Sequence, residues 1–207
     1  MKRLLALVAA VVAVAAAAVL LLLAVDVRRY DRAFADDDAA FTIDPTPKDL
    51  WQPAQLVPGS AARRMLGVDD ELAYRRAVRL FALGRPRVNS LLATPPMQAY
   101  RSEAAITLWR LSQHDHDLAR RSRELNLVGV LDLVSGGPND PTKWIASLVR
   151  AGASFRRSIT ADDTRAEDAK FNLEVALRLK ATIRANTTTL KGLGGSATES
   201  TEFGSGY

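Results

Sequence analysis

Two histidines and two aspartates alternate in the run His114-Asp115-His116-Asp117, where all the imidazoles of the chain lie. Imidazole and carboxylate groups are ligands for zinc and other transition metals. Residues two apart on a helix point to different faces, so the two rings converge only in a loop. Because no third ligand follows nearby, we predict a polar loop in which Asp115 or Asp117 caps a helix, rather than a metal site.

Nucleophilic catalysis finds little support in the chain. Cysteine is absent, which excludes thiolate nucleophiles, thiolate metal sites and disulfides. A serine hydrolase would have to use one of the two histidines, and no Gly-x-Ser-x-Gly segment provides its nucleophile. We therefore expect no enzymatic activity, no cofactor and no small-molecule substrate.

Arginines offer binding chemistry instead. The formal net charge is +5, which is too small and too dispersed for a nucleic-acid binder, so we expect no nucleic-acid partner. One stretch concentrates the arginines Arg110, Arg120, Arg121 and Arg123. Such a group fits anionic lipid headgroups or an acidic protein partner, and the alternative is a solvated helix face. The pairs Arg75-Arg76 and Arg156-Arg157 are interpreted as ordinary surface residues.

The first 25 residues have the composition of a membrane anchor. Leu4 to Val25 comprises 22 residues without a charged side chain. At about 1.5 Å per residue this helix is roughly 33 Å long, enough for a hydrocarbon core of about 30 Å. A cleaved signal peptide is the alternative, but its apolar region would be about 7–15 residues long and Ala24-Val25-Asp26 is a poor cleavage site. We predict an uncleaved, single-pass anchor in the plasma membrane.

Basic residues flank the anchor on both sides, with Lys2 and Arg3 before it and Arg28, Arg29 and Arg32 after it. The positive-inside rule counts lysine and arginine, so the two flanks nearly balance. Short N-terminal tails of bacterial anchors usually stay inside. We therefore expect the rest of the chain to lie outside the cytoplasm.

Residues 26–68 are predicted to form an extended linker. They contain Asp36-Asp37-Asp38 and several prolines, which disfavour helix in the residue before them. No acidic residues follow the aspartate triplet at calcium-loop spacing, so a solvated linker is favoured over a cation site. Phe41, Leu50 and Trp51 are expected to pin part of this segment onto the following domain.

The sequence predicts an all-α domain over residues 69–186. Start and stop signals indicate five helices at about 69–83, 94–112, 117–134, 142–159 and 164–184. Asp69 or Asp70 is the expected cap of the first, and Thr164 with Glu167 forms a predicted capping box at the last. Two apolar stripes at helical spacing should face the core: Tyr100, Ala104, Leu108 and Leu111, and Trp144, Leu148, Ala151 and Phe155. Residues 187–207 are expected to be disordered.

One pattern occurs twice in this domain. Residues 125–133 and 171–179 both read apolar-Asn-Leu-x-x-x-Leu-x-Leu, 46 positions apart. A repeated helix with one helix between the copies is typical of stacked helical hairpins. Asn126 and Asn172 occupy the same position in the two copies. Asn172 falls within the apolar arc of its helix, and a buried unpaired amide costs about 1–3 kcal/mol. We therefore expect Asn172 to hydrogen-bond to backbone in a neighbouring helix or loop.

These hairpins resemble a degenerate tetratricopeptide repeat. In that family the first helix often carries aromatic-Asn-Leu-Gly, which is similar to Phe171-Asn172-Leu173 and loosely to residues 126–129. The second helix carries a small residue, an aromatic and a small residue, similar to Ala151, Phe155 and Ser158. The spacing of 46 exceeds the family's 34, Glu174 stands where glycine is usual, and the terminal proline is missing. An irregular helical bundle is the alternative.

Residues 168–174 also resemble membrane-tethered helical-repeat proteins that accompany MoxR-type ATPases and von Willebrand factor A-domain proteins. The resemblance implies an assembly or scaffold partner. We expect a membrane-anchored adaptor of the bacterial cell envelope that binds protein. The alternatives are a structural subunit of a larger membrane complex and, least favoured, an unrecognised enzyme.

Overall fold

The computed structural model describes residues 2–53, 67–85, 94–136 and 140–195, together with Leu56 and Arg63. Within these ranges there are six α-helices, one short 3-10 helix and no strand, which confirms the all-α prediction. The helices are α1 Lys2–Ile43, α2 Val68–Leu83, α3 Pro95–His114, α4 Leu118–Ser135, α5 Pro141–Ala161 and α6 Glu167–Gly195. The chain divides into two compact units, Met1–Tyr100 (unit 1) and Arg101–Tyr207 (unit 2).

Among the described helices, α1 is the one that is long and apolar enough to cross a membrane. Its most apolar window of 18 residues has a mean hydropathy of 3.0, and none of that window is buried within the protein. The side chains of Leu4 and Leu21 are 70 % and 66 % exposed. Leu4 and Val25 therefore lie in one uninterrupted helix, and the described residues leave its most apolar window uncovered.

The prediction of an extended linker is wrong for residues 26–43, because α1 continues to Ile43. Tyr30, Phe34 and Phe41 recur at helical spacing, so one face of this half of α1 packs against the rest of unit 1. The first proline is Pro45, and it limits the helix only at its end. The aspartates of this segment and the prolines after it are typical of a linker, but its aromatic residues form an apolar face that stabilises a helix by packing.

Unit 1 has a small core beside the second half of α1, formed by Tyr30, Leu50, Trp51, Val68 and Leu72. Leu50 and Trp51 thus pack as expected. Trp51 stands at φ 62°, a left-handed conformation that costs a non-glycine residue about 1–2 kcal/mol. Two hydrogen bonds hold it there: its backbone N–H donates to Asp37 Oδ2 (2.5 Å) and its indole Nε1 donates to Asp38 Oδ1 (2.8 Å).

Asp38 also connects α1 to α2. Arg75 donates to its two carboxylate oxygens through Nε (3.0 Å) and Nη2 (2.9 Å), and it also pairs with Glu71. The Arg75 guanidinium lies 4.2 Å from the centroid of the Phe34 ring. Burial raises the pKa of Asp38, but the hydrogen bonds from Arg75 and Trp51 and the charge of Arg75 outweigh it and lower the pKa. The acidic triplet is therefore a structural element and not a solvated linker.

Helix α2 begins without a side-chain cap. Its N-cap is Gly67, at φ 64°, which glycine adopts without strain. The prediction that Asp69 or Asp70 caps the helix is wrong, because both lie in its first turn. Carboxylates there favour the helix through its dipole. The end of the helix before Gly84 is as predicted.

Unit 2 is organised around α5, which packs against both α4 and α6. Asp117 caps α4 by accepting from the backbone N–H groups of Ala119 and Arg120, and Asp140 caps α5. Asp117 is one of the two predicted caps, and α5 begins within one residue of the predicted position 142. The core contains Leu148, Ala151, Phe155, Ala176 and Ile183.

The junction between α5 and α6 differs from the prediction. Asp162 Oδ1 accepts from the backbone N–H (3.2 Å) and the hydroxyl (2.7 Å) of Thr164, and residues 163–165 form a 3-10 helix. The prediction of a capping box formed by Thr164 and Glu167 is therefore wrong, because the Thr164 hydroxyl donates its hydrogen bond to Asp162. The backbone of α6 continues to Gly195, so the predicted disorder is wrong for residues 187–195. Residues 196–207 lie outside the described residues.

Candidate functional site

The two copies of the repeated pattern lie in α4 and α6, on the two helices that pack against α5. Asn172 Nδ2 donates to Asn126 Oδ1 over 3.0 Å, and both residues are half-buried. The predicted backbone partner for Asn172 is wrong. Its partner is the asparagine at the same position of the other copy, because equal positions of the two copies come face to face. The amide is satisfied, and the bond fixes α6 relative to α4.

A pair of buried serines sets the register of the antiparallel hairpin α4–α5. Ser158 Oγ donates to the backbone oxygen of Ser122 (2.7 Å) and lies 3.0 Å from Ser122 Oγ. This contact lies at the open end of the hairpin, away from the loop that follows Ser135. It brings the neighbouring residues Arg121 and Arg157 to the same end.

A groove of about 470 Å³ lies at this open end, and we call it the arginine groove. It is lined by Gln113, Leu118, Arg121, Leu125, Arg157, Thr160 and Ala161. The Nε of Arg121 is buried and has no hydrogen-bond partner within the described part of the chain. None of the described lining residues is acidic. The groove therefore combines two guanidinium groups with an apolar wall.

The structure separates the four arginines that the sequence grouped. Arg121 lies in the groove, whereas Arg110 and Arg123 are exposed and do not line it. Arg120 forms an ion pair with Asp115. Burial raises the pKa of Asp115, but hydrogen bonds from Arg120 and from a backbone N–H outweigh it and lower the pKa. The ionised Asp115 therefore neutralises Arg120.

Sequence reasoning missed Arg157 as a groove residue. The signal was the predicted loop between the helices at about 117–134 and 142–159, because residues at equal distances from the loop of an antiparallel helical hairpin face each other. This rule places the residues around Arg121 opposite those around Arg157. The sequence analysis groups arginines that are close along the chain, whereas the groove combines Arg121 of α4 with Arg157 of α5.

The histidine run ends α3 and begins α4. His114 Nδ1 lies 3.1 Å from the backbone oxygen of Arg110, and Asp115 Oδ1 accepts from the backbone N–H of Asp117 (2.9 Å). Asp117 is the N-cap of α4, which was one of the two predicted alternatives. No group of three histidine, aspartate or glutamate side chains suited to a metal ion occurs in the ranges that the structure describes.

No protein-family model matches the sequence, and no curated protein or solved structure was found to match it. The resemblance to tetratricopeptide repeats therefore stays a prediction.

Proposed function

We propose that this chain is a single-pass membrane protein of the cell envelope and that unit 2 is an adaptor domain, which binds another protein without catalysis. The uncharged segment from Leu4 to Val25 supports the anchor, since burying its apolar surface in a bilayer is favourable by about 25 cal/mol per Å². In this proposal unit 2 lies outside the cytoplasm.

The arginine groove carries the binding part of this proposal. Guanidinium groups bind carboxylates through two parallel hydrogen bonds, and such bonds are stronger than neutral ones. An unpaired buried donor such as Arg121 Nε costs about 1–3 kcal/mol, which a bound acceptor would recover. The apolar wall of Leu118, Leu125 and Ala161 suits an apolar side chain. A protein segment with an acidic residue next to an apolar one supplies both groups.

The arrangement of α4, α5 and α6 supports the proposed kinship with tetratricopeptide-type repeats. Phe155 packs on Gly129 across the hairpin, and the repeated asparagines bond to each other. Stacked hairpins of this kind leave surfaces on which peptides or helices bind.

The proposal is tested by photo-crosslinking in native membranes. A photoreactive amino acid at Leu118, which lines the groove and is 56 % exposed, is placed in the full-length chain. We expect one protein partner to crosslink to this chain. The variant R121Q/R157Q should lose most of the product, because the partner's carboxylate then has no guanidinium group to bind.

The matched control is R110Q/R123Q, which removes the same charge from the same region outside the groove. This variant should keep the product at the level of the parent chain. Equal yields from both double variants would contradict a groove-specific partner, and so would the absence of any protein product.

A structural subunit of a larger membrane complex is the second candidate. Apolar side chains on α3 and α6 favour it, since Ile106, Trp109 and Phe171 are 68 %, 50 % and 67 % exposed. Exposed apolar groups of this size often mark contacts with other proteins. In that case the chain should co-purify with its complex at a fixed ratio, and R121Q/R157Q should not release it.

A further inference from the structure

We propose that a pocket in unit 1 binds the phosphate-bearing headgroup of an anionic phospholipid. The pocket has a volume of about 260 Å³, and Tyr30, Trp51, Gln52, Arg63 and Arg76 contribute to its lining. We call it the headgroup pocket. The inference rests on the proposed membrane anchor, but it does not depend on the adaptor function of unit 2.

The position of Tyr30 along α1 places the pocket at the depth of the lipid headgroups. Tyr30 follows Val25, the last residue of the uncharged segment, by one and a half turns of continuous helix, which is about 7.5 Å. The polar layer of each leaflet extends roughly 5–8 Å beyond the hydrocarbon. Because Tyr30 lines the pocket, the pocket opens within or just above that layer.

Asp26 gives an independent measure of depth. It is 1 % exposed, and its carboxylate accepts from the backbone N–H of Leu56 over 2.9 and 3.2 Å. Asp26 directly follows the uncharged segment, so Leu56 is held at the boundary of the bilayer. The Leu56 side chain is 40 % exposed, which suits contact with acyl chains. The chain therefore returns to the membrane exit of α1 shortly before Arg63.

The charges of the pocket fit a phosphate group. Arg63 forms a long ion pair with Asp69 (Nε to Oδ1, 3.5 Å), and its buried Nε forms no hydrogen bond with the described residues, so it can still donate to a phosphate oxygen. Arg76 is exposed at the rim. Guanidinium groups donate pairs of hydrogen bonds to phosphate oxygens, and basic residues next to a bilayer attract anionic lipids. Arg28 and Arg32, exposed one turn apart on α1, add charge of the same sign at this depth.

Native mass spectrometry of the full-length chain in detergent tests the pocket. The protein is supplied with equal amounts of phosphatidylglycerol and phosphatidylcholine. We expect it to retain phosphatidylglycerol in preference, by on the order of tenfold, because both lipids carry the phosphate but only phosphatidylcholine also carries a cation, which the two arginines repel. The variant R63Q/R76Q should bind both lipids nearly equally. The matched control R110Q/R123Q, which removes two arginines from unit 2, should keep the preference.

Three results would overturn the inference. One is the same lipid preference in R63Q/R76Q as in the parent chain, and another is no preference in the parent chain. The third is loss of the preference when inorganic phosphate is added at about 10 mM, because the site would then bind free phosphate. If circular dichroism shows that R63Q/R76Q is unfolded, the single variant R76Q replaces it, and its preference must fall.

The outcome is distinguishable from failure of the proposed anchor. If the chain stays in the bilayer while R63Q/R76Q binds lipid like the parent, the headgroup pocket is wrong and the anchor stands. If the chain is not a membrane protein at all, both fail together. Loss of the crosslinked partner in R121Q/R157Q tests the arginine groove and has no consequence for the headgroup pocket or for the anchor.

Discussion

Asp38 organises unit 1 at the scale of single residues. Its two oxygens accept hydrogen bonds from Arg75, and one of them also accepts from the indole of Trp51. These bonds join residues of α1, of the segment after it and of α2. Asn126 and Asn172 have the same role in unit 2, where one amide bond joins two helices. In both units polar side chains, and not apolar area alone, fix how the helices meet.

Acid should weaken unit 1 through Asp38. Because its pKa is lowered in the folded protein, the stability it contributes is present above the unfolded value of about 3.9 and is lost as pH falls through the lower folded value. Hydrogen exchange of α2 in the full-length chain measures this. D38N should exchange faster than the parent chain at pH 7, and the difference should be smaller at about pH 3, below the unfolded pKa. A difference that is the same at both values would refute the role of the carboxylate.

At the scale of elements, the hairpin α4–α5 depends on one close approach. A Cβ atom at Gly129 would lie 2.9 Å from Phe155 Cζ and still closer to two other atoms of that ring. Phe155 is fully buried, so the ring cannot move away without disturbing the core. The glycine therefore permits the short distance between α4 and α5 at this point.

Two alanine substitutions separate this close approach from the general effect of glycine in a helix. G129A should lower the free energy of unfolding of unit 2 by about 1–3 kcal/mol, because it overpacks the hairpin. G152A places a Cβ at an ordinary 3.7 Å from Leu173 Cδ1 and should instead raise stability by up to about 1 kcal/mol through helix propensity. Thermal unfolding followed by circular dichroism measures both. The same sign for the two variants would show that the approach at Gly129 is not special.

Helix ends could be predicted where local residues determine them. Asp117 and Asp140 cap their helices through their own neighbours, and Gly84 ends α2. The helical course of residues 26–43 could not be predicted in this way, because its partners are distant in sequence. Asp26 bonds to Leu56 and Asp38 bonds to Arg75. Aspartates have low helix propensity, and these long-range contacts outweigh it.

Of the two arginines in the arginine groove, only Arg121 could be predicted from the sequence as a candidate binding residue. Arg121 stands in a run of arginines that composition reveals, whereas Arg157 stands 36 positions later. Their proximity depends on the register of two helices, which the buried contact between Ser122 and Ser158 sets. Small hydroxyl residues give no such signal by themselves. The headgroup pocket could not be predicted for the same reason, because it depends on the contact that brings Leu56 back to Asp26 on α1.

At the scale of the whole molecule, α1 joins the proposed membrane anchor directly to the folded core of unit 1. The apolar half of α1 and its packed second half form one continuous helix, so no flexible joint separates the uncharged segment from the core around Tyr30. If α1 spans a bilayer as we propose, a folded unit attached in this way is held at a fixed height above it. That fixed height is the physical basis of the headgroup pocket.

Extraction of native membranes with alkaline carbonate, followed by mass spectrometry of the N-terminal peptides, tests the central claim most directly. Carbonate removes proteins that are held at the surface by charge and leaves proteins with a membrane-spanning helix in the pellet. We predict that the chain stays in the pellet and that peptides covering Leu4 to Val25 are recovered intact. A chain that is released into the supernatant and begins after Val25 would contradict the account.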